Sequence, residues 1–287
     1  MHPGAALILG TVHAEVNLTA SRGDFQDNED PVKIRLHPGT AQESAMTFSA
    51  TPTPYKRDYQ AAFDAIRKLL ANGDDTTQVF IIMRALNGPV SRHNYGRLMQ
   101  TPKGRQLAYR RVELAERLSD PTFIASFAPG SVGAEYRAFL DRTGYSAVGL
   151  AEISNLNREP LVEDPYAWSA RRTRDVHDIW HVLTGYKTDE SLGEAALVAF
   201  SFAQSGGLGW AFIALAASLK SLRVTGNTVF ARAVIEGWRN GRKAAWLLGE
   251  DYELLLHEPL TAARERLGIA QPARYVSAQS VLAEYLA

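Results

Sequence analysis

The sequence predicts an all-α domain over residues 55–287 behind an irregular extension over residues 1–54. Three observations carry that prediction. From about residue 56, apolar side chains recur at helical spacing, as in YQAAFDAIRKLL with Phe63, Ile66, Leu69 and Leu70. Helix boundaries are written into the chain: Pro165 follows Asp164 at a first helical position, and Gly144 and Gly185 act as stops. Before residue 55, Gly, Pro, Ser, Thr, Asp and Asn are dense and FQDNEDP and HPGTAQES have no apolar period, while LILGTVHAEVNL reads as a short strand with nothing to pair it.

The remaining elements follow in order. TTQVFIIMRAL starts a second helix with Thr or Asp as its cap. KGRQLAYRRVELAERL reads as one amphipathic helix with Leu107, Val112, Leu114 and Leu118 along one side. FAPGSVG is a turn, and EYRAFLDRTG a short helix that ends at Gly144. Residues 165–184 run without a breaker to Gly185. Later helices fall at about 192–204, 208–222, 228–240 and 243–257; Pro259 breaks the last, TAARERLG starts another, and YVSAQSVLAEYL closes the chain.

Composition bounds the function. A length of 287 residues suits one large domain or two small ones and can bury a sizeable core. The 31 basic and 31 acidic residues cancel, which argues against a dedicated nucleic-acid binder. Cysteine is absent, so disulfides and thiolate metal sites are excluded and any metal falls to His, Asp, Glu or water. MHPGAALILG has no basic segment and residues 1–21 no Arg, so neither a secretory signal nor a transit peptide is expected. GGLG at 206–209 lacks the preceding strand that a dinucleotide fingerprint needs.

Twenty-five residues from Ala195 to Leu219 carry no charge, enough in length for a membrane span of about 20 residues. Gln204, Ser205, Gly206 and Gly207 interrupt the run, and Glu194 directly precedes it. The first reading is two buried helices joined at Gly206 and Gly207. A helix pair at a lipid pocket or membrane surface comes second, and a true span third.

RDVHDIWHVLTGYKTDESLGE, residues 174–194, holds the chemistry. His177 and His181 stand four apart, on one helix face, close enough to grip one ion. Ala170, Thr173 and Thr184 share that face, while Val176, Ile179, Trp180 and Leu183 face the core. Asp178 either reaches the ion or pairs with Arg174, and Glu194 either returns a carboxylate to the ion or closes a capping box with Ser191. Spacing alone leaves a metal site and a polar helix in balance. Two imidazoles with carboxylates suit zinc, iron or manganese, with a softer case for magnesium, and do not name the metal.

Several blocks in order make the chain resemble the coenzyme Q (ubiquinone) biosynthesis protein 4 family: FAPGSVGAEYRAFL, RDVHDIWHVLTGY, LGEAALVAF, EGWRNGRKAAWLL and RERLGI, within about residues 100–270. The resemblance implies His177, Asp178, His181 and Glu194 as both metal ligands and catalytic residues. Twelve residues separate His181 from Glu194 where eleven are expected in the family; the aligned LGE block puts the extra residue in the loop KTDES, with Glu190 as the competing carboxylate otherwise. It further implies a hydrophobic groove for an isoprenoid tail, peripheral membrane attachment at a mitochondrial matrix face or a bacterial cytoplasmic face, and a role in ubiquinone synthesis. Implied partners are a prenylated quinone precursor, other ubiquinone-biosynthesis proteins and a second copy of the chain. The implied chemistry is oxidative decarboxylation of a prenylated benzoate ring, with a hydroxyl replacing the carboxylate. The alternative is a lipid-binding organiser without chemistry; a metal-dependent hydrolase rests on the histidine pair alone. Arg232, Arg239, Arg242 and Lys243 read first as a solvated face and second as a contact for anionic lipid. Trp238 and Trp246 read as core or rim, and Tyr252 and His257 as structural.

Overall fold

A computed structural model describes residues 56–73, 75–147, 149 and 164–284. The expectations for residues 1–54, the irregular extension and the short strand, lie outside the described residues. What is described is all-α, with no β-strand and one isolated bridge between Ser131 and Pro259.

Two antiparallel helices open the domain, α1 (Tyr59–Ala71) and α2 (Thr76–Asn87). Ala62, Ala65, Ile66 and Leu69 form the buried stripe of α1, while Phe63, expected on that stripe, is 53% exposed. Asp58 caps α1 by accepting the Ala61 N–H. Next come α3 (Val90–Leu98) and α4 (Pro102–Arg110).

The expected single helix over KGRQLAYRRVELAERL is broken. α4 ends at Arg111, which sits at φ 45°, and α5 resumes at Leu114–Ser119. Tertiary bonds hold the break open. Val112 O accepts the Trp168 indole N–H, and Glu113 takes a two-pronged bond from Arg171. Periodicity continued across 111–113 while the side chains of a later helix overrode it.

After α6 (Pro121–Ala125), α7 (Val132–Thr143) is capped by Ser131 and stopped by Gly144 at φ 71°. Residues 165–184 form two helices, not one: α8 (Pro165–Asp175) and α9 (His177–Thr184), divided at Val176. The division is slight, since Val176 stays in the right-handed region at φ −84°, ψ −7°. Asp164 caps α8 through the N–H groups of Tyr166 and Ala167, with Pro165 in the first turn, as the sequence predicts. Gly185 stops α9 at φ 78°, and Arg264 donates to the carbonyls of Val182 and Leu183, two of the groups a helix end leaves unpaired.

The centre of the core is α10 (Ser191–Ser205), buried over most of its circumference. α12 (Val229–Lys243) lies directly on it because it presents glycine at the contact. A Cβ on Gly237 would stand 2.4 Å from Ala196 O, and one on Gly241 2.7 Å from Phe200 O. Between them in sequence runs α11 (Leu208–Thr225), reached through Gly206 at φ 74°. The uncharged run therefore splits at the glycines, but only its first helix is mostly core. α11 is 18 residues long with a mean hydropathy of 1.2, and 28% of it is buried. It packs on α1 and α2 and turns Leu215, Leu219 and Leu222 outward.

The helix expected over 243–257 is absent. Gln204 unwinds that stretch by donating to the Gly241 and Ala245 carbonyls and accepting the Leu247 N–H. A 3-10 turn (Leu247–Gly249) and the short α13 (Tyr252–Leu255) stand there, followed by α14 (Leu260–Leu267) and α15 (Ala273–Glu284). Tyr252 is structural, as expected: its hydroxyl accepts the Trp180 indole N–H and donates to Leu247 O. Arg232, Arg239, Arg242 and Lys243 are exposed, as both a solvated face and a lipid contact require.

Close helix contact at glycine sets a test of the core. Gly237→Ala forces the α10–α12 contact apart and is expected to cost about 1–3 kcal/mol in urea unfolding. Gly96→Ala on α3, with nothing within 4 Å of its Cβ position, is expected to stabilise by up to about 1 kcal/mol.

Candidate metal centre

The ligand candidates come from two helices that meet end to side. α9 contributes His177 and His181, one turn apart, and the first turn of α10 contributes Glu194. The short loop 186–190 joins the helices and passes so close that a Cβ on Gly193 would lie 2.0 Å from Lys187 O. Glycine there lets the loop fold tightly over the start of α10.

His177, His181 and Glu194 each offer a ligand atom, and these atoms lie within 4.8 Å of one another. Glu194 Oε1 is 3.1 Å from His181 Nε2, and Oε2 is 3.6 Å from His177 Nε2. Ligands at about 2.0–2.1 Å in a tetrahedron stand about 3.3 Å apart, so both edges suit a shared small cation.

The second nitrogen of His181 decides its tautomer. His181 Nδ1 is 2.8 Å from Tyr186 O, a carbonyl that can only accept, so Nδ1 carries hydrogen. Its Nε2 is buried and has no hydrogen-bond partner; Glu194 approaches it out of line. A lone pair facing a carboxylate is repulsive unless a cation stands between them or Nε2 takes up a proton. The donor set and this unpartnered nitrogen both fit a divalent metal, with a ligating histidine anchored through its other nitrogen.

Neighbouring groups complete the shell. The Thr188 hydroxyl donates to Glu194 Oε1 at 2.5 Å, and Tyr145 hydrogen-bonds Thr188. Trp210 stacks on His177 with ring centres 5.9 Å apart, and Phe139 on His181 at 6.0 Å. None of Thr188, Tyr186, Trp210 or Tyr145 was singled out by sequence reasoning. Thr188 alone left a trace, as a hydroxyl in the loop ahead of Glu194.

Asp178, the fourth residue implied by the sequence, is buried beside the cluster but is not one of the three whose ligand atoms converge. Burial pushes its carboxyl above the ordinary value, and His177 and His181 pull it part of the way back. Arg174 pairs with Asp175 at 2.7 Å. Glu190, the competing carboxylate, is turned away: it accepts from Tyr275 and Gln279. Glu194, and not Glu190, is the carboxylate that lies with the two histidines.

Charge follows the geometry. Burial pushes the Glu194 carboxyl up, but His181 and then His177 pull it far below its ordinary range. Burial pulls the His181 imidazole down, but Glu194, with Asp178 behind it, raises it above its ordinary value. Without metal, the depressed Glu194 contributes stability above its ordinary 4.5 and loses it as pH falls toward the folded value. The raised His181 contributes fully below its ordinary 6.5 and loses it as pH rises through the folded value.

Comparisons with known proteins bear on this arrangement. A family model described as "Coenzyme Q (ubiquinone) biosynthesis protein Coq4" matches residues 57–273. The chain belongs to the Coq4 family. Among curated relatives, the mouse "Ubiquinone biosynthesis protein COQ4 homolog, mitochondrial" is 32% identical over 183 residues, covering 62% of this chain and 65% of that protein. The human homolog is also 32% identical over 183 residues, with the same coverage. A fungal member from Pyrenophora tritici-repentis is 28% identical over 190 residues, 61% of this chain and 58% of its own. The chain thus spans less than two thirds of the length of these Coq4 relatives. A crystal structure from Nostoc punctiforme, described as a candidate ubiquinone biosynthesis protein, superposes with a TM-score of 0.56 at 21% identity. It covers 75% of this chain and 100% of its own, and supports the helical fold.

Metal binding here must displace the His181 proton, which fixes its pH dependence. Zinc affinity, measured by competition with a chromophoric chelator, is expected to fall about tenfold per pH unit below the raised His181 pKa. Thr188→Val is expected to weaken zinc by about 10–100-fold at constant pH, the range for a lost outer-shell bond.

Proposed function

We propose that this protein acts in ubiquinone biosynthesis as a metal-dependent enzyme that replaces the carboxylate of a prenylated benzoate ring with a hydroxyl group. The observation that carries the reading is the buried, unpartnered His181 Nε2 facing Glu194, beside His177, in a chain of the Coq4 family. Zinc, or alternatively iron, manganese or magnesium, would supply Lewis-acid stabilisation of negative charge on a ring oxygen as carbon dioxide leaves.

The remaining work falls to the chain. His177, His181 and Glu194 would hold the ion. Asp178, buried beside the cluster and with its carboxyl pushed up, would accept at a carboxylate oxygen the proton that a ring hydroxyl gives up. Trp210 and Phe139, stacked on the two imidazoles, exclude water from the histidine faces. Exchange of carboxylate for hydroxyl is a two-electron oxidation overall, so the reaction draws its oxygen atom and its oxidant from outside the chain: water with a two-electron acceptor, or dioxygen with a two-electron donor that carries its second oxygen to water.

The exposed side of α11 supports attachment to an anionic membrane surface. Leu215, Leu219 and Leu222 recur there at helical spacing, Arg223 is exposed beside them, and α11 contains no acidic residue. α1, packed on α11, exposes Tyr59, Phe63, Arg67 and Lys68, with Asp64 as the exposed acid within the helix. Apolar side chains with a basic fringe suit the interface of an anionic bilayer, which would also hold the isoprenoid tail. On this reading the protein works at a membrane surface on the mitochondrial matrix side, or on the cytoplasmic side in a bacterium; the mouse and human relatives are named as mitochondrial. There it would meet the other ubiquinone-biosynthesis proteins.

Lipid mass spectrometry tests the chemistry. Cells lacking the protein, rescued with His181→Ala at equal folded level, are expected to accumulate a prenylated ring that keeps its carboxylate. Full restoration of ubiquinone by that variant would remove the enzyme reading and leave the lipid-binding organiser. Sedimentation with vesicles of mixed anionic and neutral lipid tests the membrane face. Leu215→Asp/Leu219→Asp is expected to abolish binding that the wild type shows; unchanged binding would exclude this face.

A further inference from the structure

The loop that aligns the metal ligands is itself held from outside by the last helix. Its inner side is already assigned: Tyr186 O fixes His181, and the Thr188 hydroxyl fixes Glu194. Its outer side is bonded to α15. The Tyr275 hydroxyl accepts the Lys187 N–H at 2.9 Å and donates to Glu190 through a short hydrogen bond. Gln279, one turn on, donates to the same Glu190 oxygen at 2.7 Å. The Tyr186 ring meets the Tyr275 ring edge-on with centres 5.1 Å apart.

α15 is placed for this by its own start. Glu236 on α12 accepts the N–H groups of Arg274 and Tyr275, at distances from 2.9 to 3.1 Å, which satisfies donors that a helix N-terminus leaves open. Tyr275 is 1% exposed, so its hydroxyl bonds are made in a dry setting where a missing partner is costly. The clamp also accounts for Glu190, a carboxylate drawn away from the ligand cluster. Tyr275 and Gln279 both lie after residue 273, where the family match ends.

We infer that Tyr275, with Glu190 and Gln279, forms a clamp through which α15 sets the position of the ligand loop and thereby the metal affinity of the site. Tyr275 is a positioning residue, two bonds removed from the ion. The inference rests on the metal reading of His177, His181 and Glu194.

The test measures Zn²⁺ affinity of the full chain by chelator competition, at a temperature where circular dichroism shows every variant folded. Tyr275→Phe leaves Lys187 N–H and Glu190 without the hydroxyl and is expected to weaken Zn²⁺ by about tenfold, the low end for outer-shell losses. Glu190→Gln keeps an acceptor oxygen for Tyr275 and is expected to bind within about threefold of wild type, well short of an outer-shell loss. Ile82→Ala, a core truncation on α2, supplies a destabilised control that is expected to bind Zn²⁺ like the wild type. Equal affinity of Tyr275→Phe and wild type overturns the clamp, as does an equal loss in Ile82→Ala. A wild type that binds no Zn²⁺, and no other divalent ion in the same assay, overturns the metal reading and the clamp together.

Discussion

The arrangement turns on the cost of burying the Glu194 carboxylate. A carboxylate inside a protein costs several kcal/mol unless it is paired and hydrogen-bonded. Glu194 sits at the start of a largely buried helix, where sequence alone offers no counter-charge, since α10 contains no base. Compensation has to come from elsewhere, and α9 brings it as His177 and His181. That demand explains why α9 is capped by Arg264, why the joining loop is cinched over Gly193, and why Thr188 turns its hydroxyl inward. It also explains the unpartnered His181 nitrogen. Two imidazoles and one buried carboxylate make a balanced set only when a cation or a proton joins them.

The same helix carries two duties that compete for its surface. α10 must receive α12 at backbone distance, which Gly237 and Gly241 permit, and must present Glu194 at its first turn. Its polar C-terminal end serves the fold in turn. Gln204, which interrupts the uncharged run, bonds three backbone groups and ties α10 to the unwound stretch after α12. α11 is left as the helix with apolar surface to spare.

Much of this was legible in the sequence because it was local. Asp164 and Pro165 announce α8; Gly144, Gly185 and Gly206 mark left-handed stops; the core side of α9 follows from helical spacing at Val176, Ile179, Trp180 and Leu183. The spacing of His177 and His181 placed them together, and block order selected Glu194. Illegible features depend on distant partners. The break at Arg111 is held by Trp168 and Arg171, and the missing helix after residue 243 by Gln204. Phe63 keeps helical spacing yet faces outward, because periodicity does not say how wide the covered stripe is. Asp178 stands next to His177 in sequence, but a step of about 100° around the helix leaves it beside the converging atoms and not among them. Glu190 and Tyr275, far apart in sequence, meet through α15 packing that no local pattern encodes.

The most direct test of the metal centre is an anomalous difference map from crystals grown with zinc, recorded above and below the zinc absorption edge. The account predicts a single strong peak enclosed by His177 Nε2, His181 Nε2 and Glu194, with His181 Nδ1 still bonded to Tyr186 O. Zinc density only at other residues, with Glu194 bonded directly to a protonated His181, would contradict it.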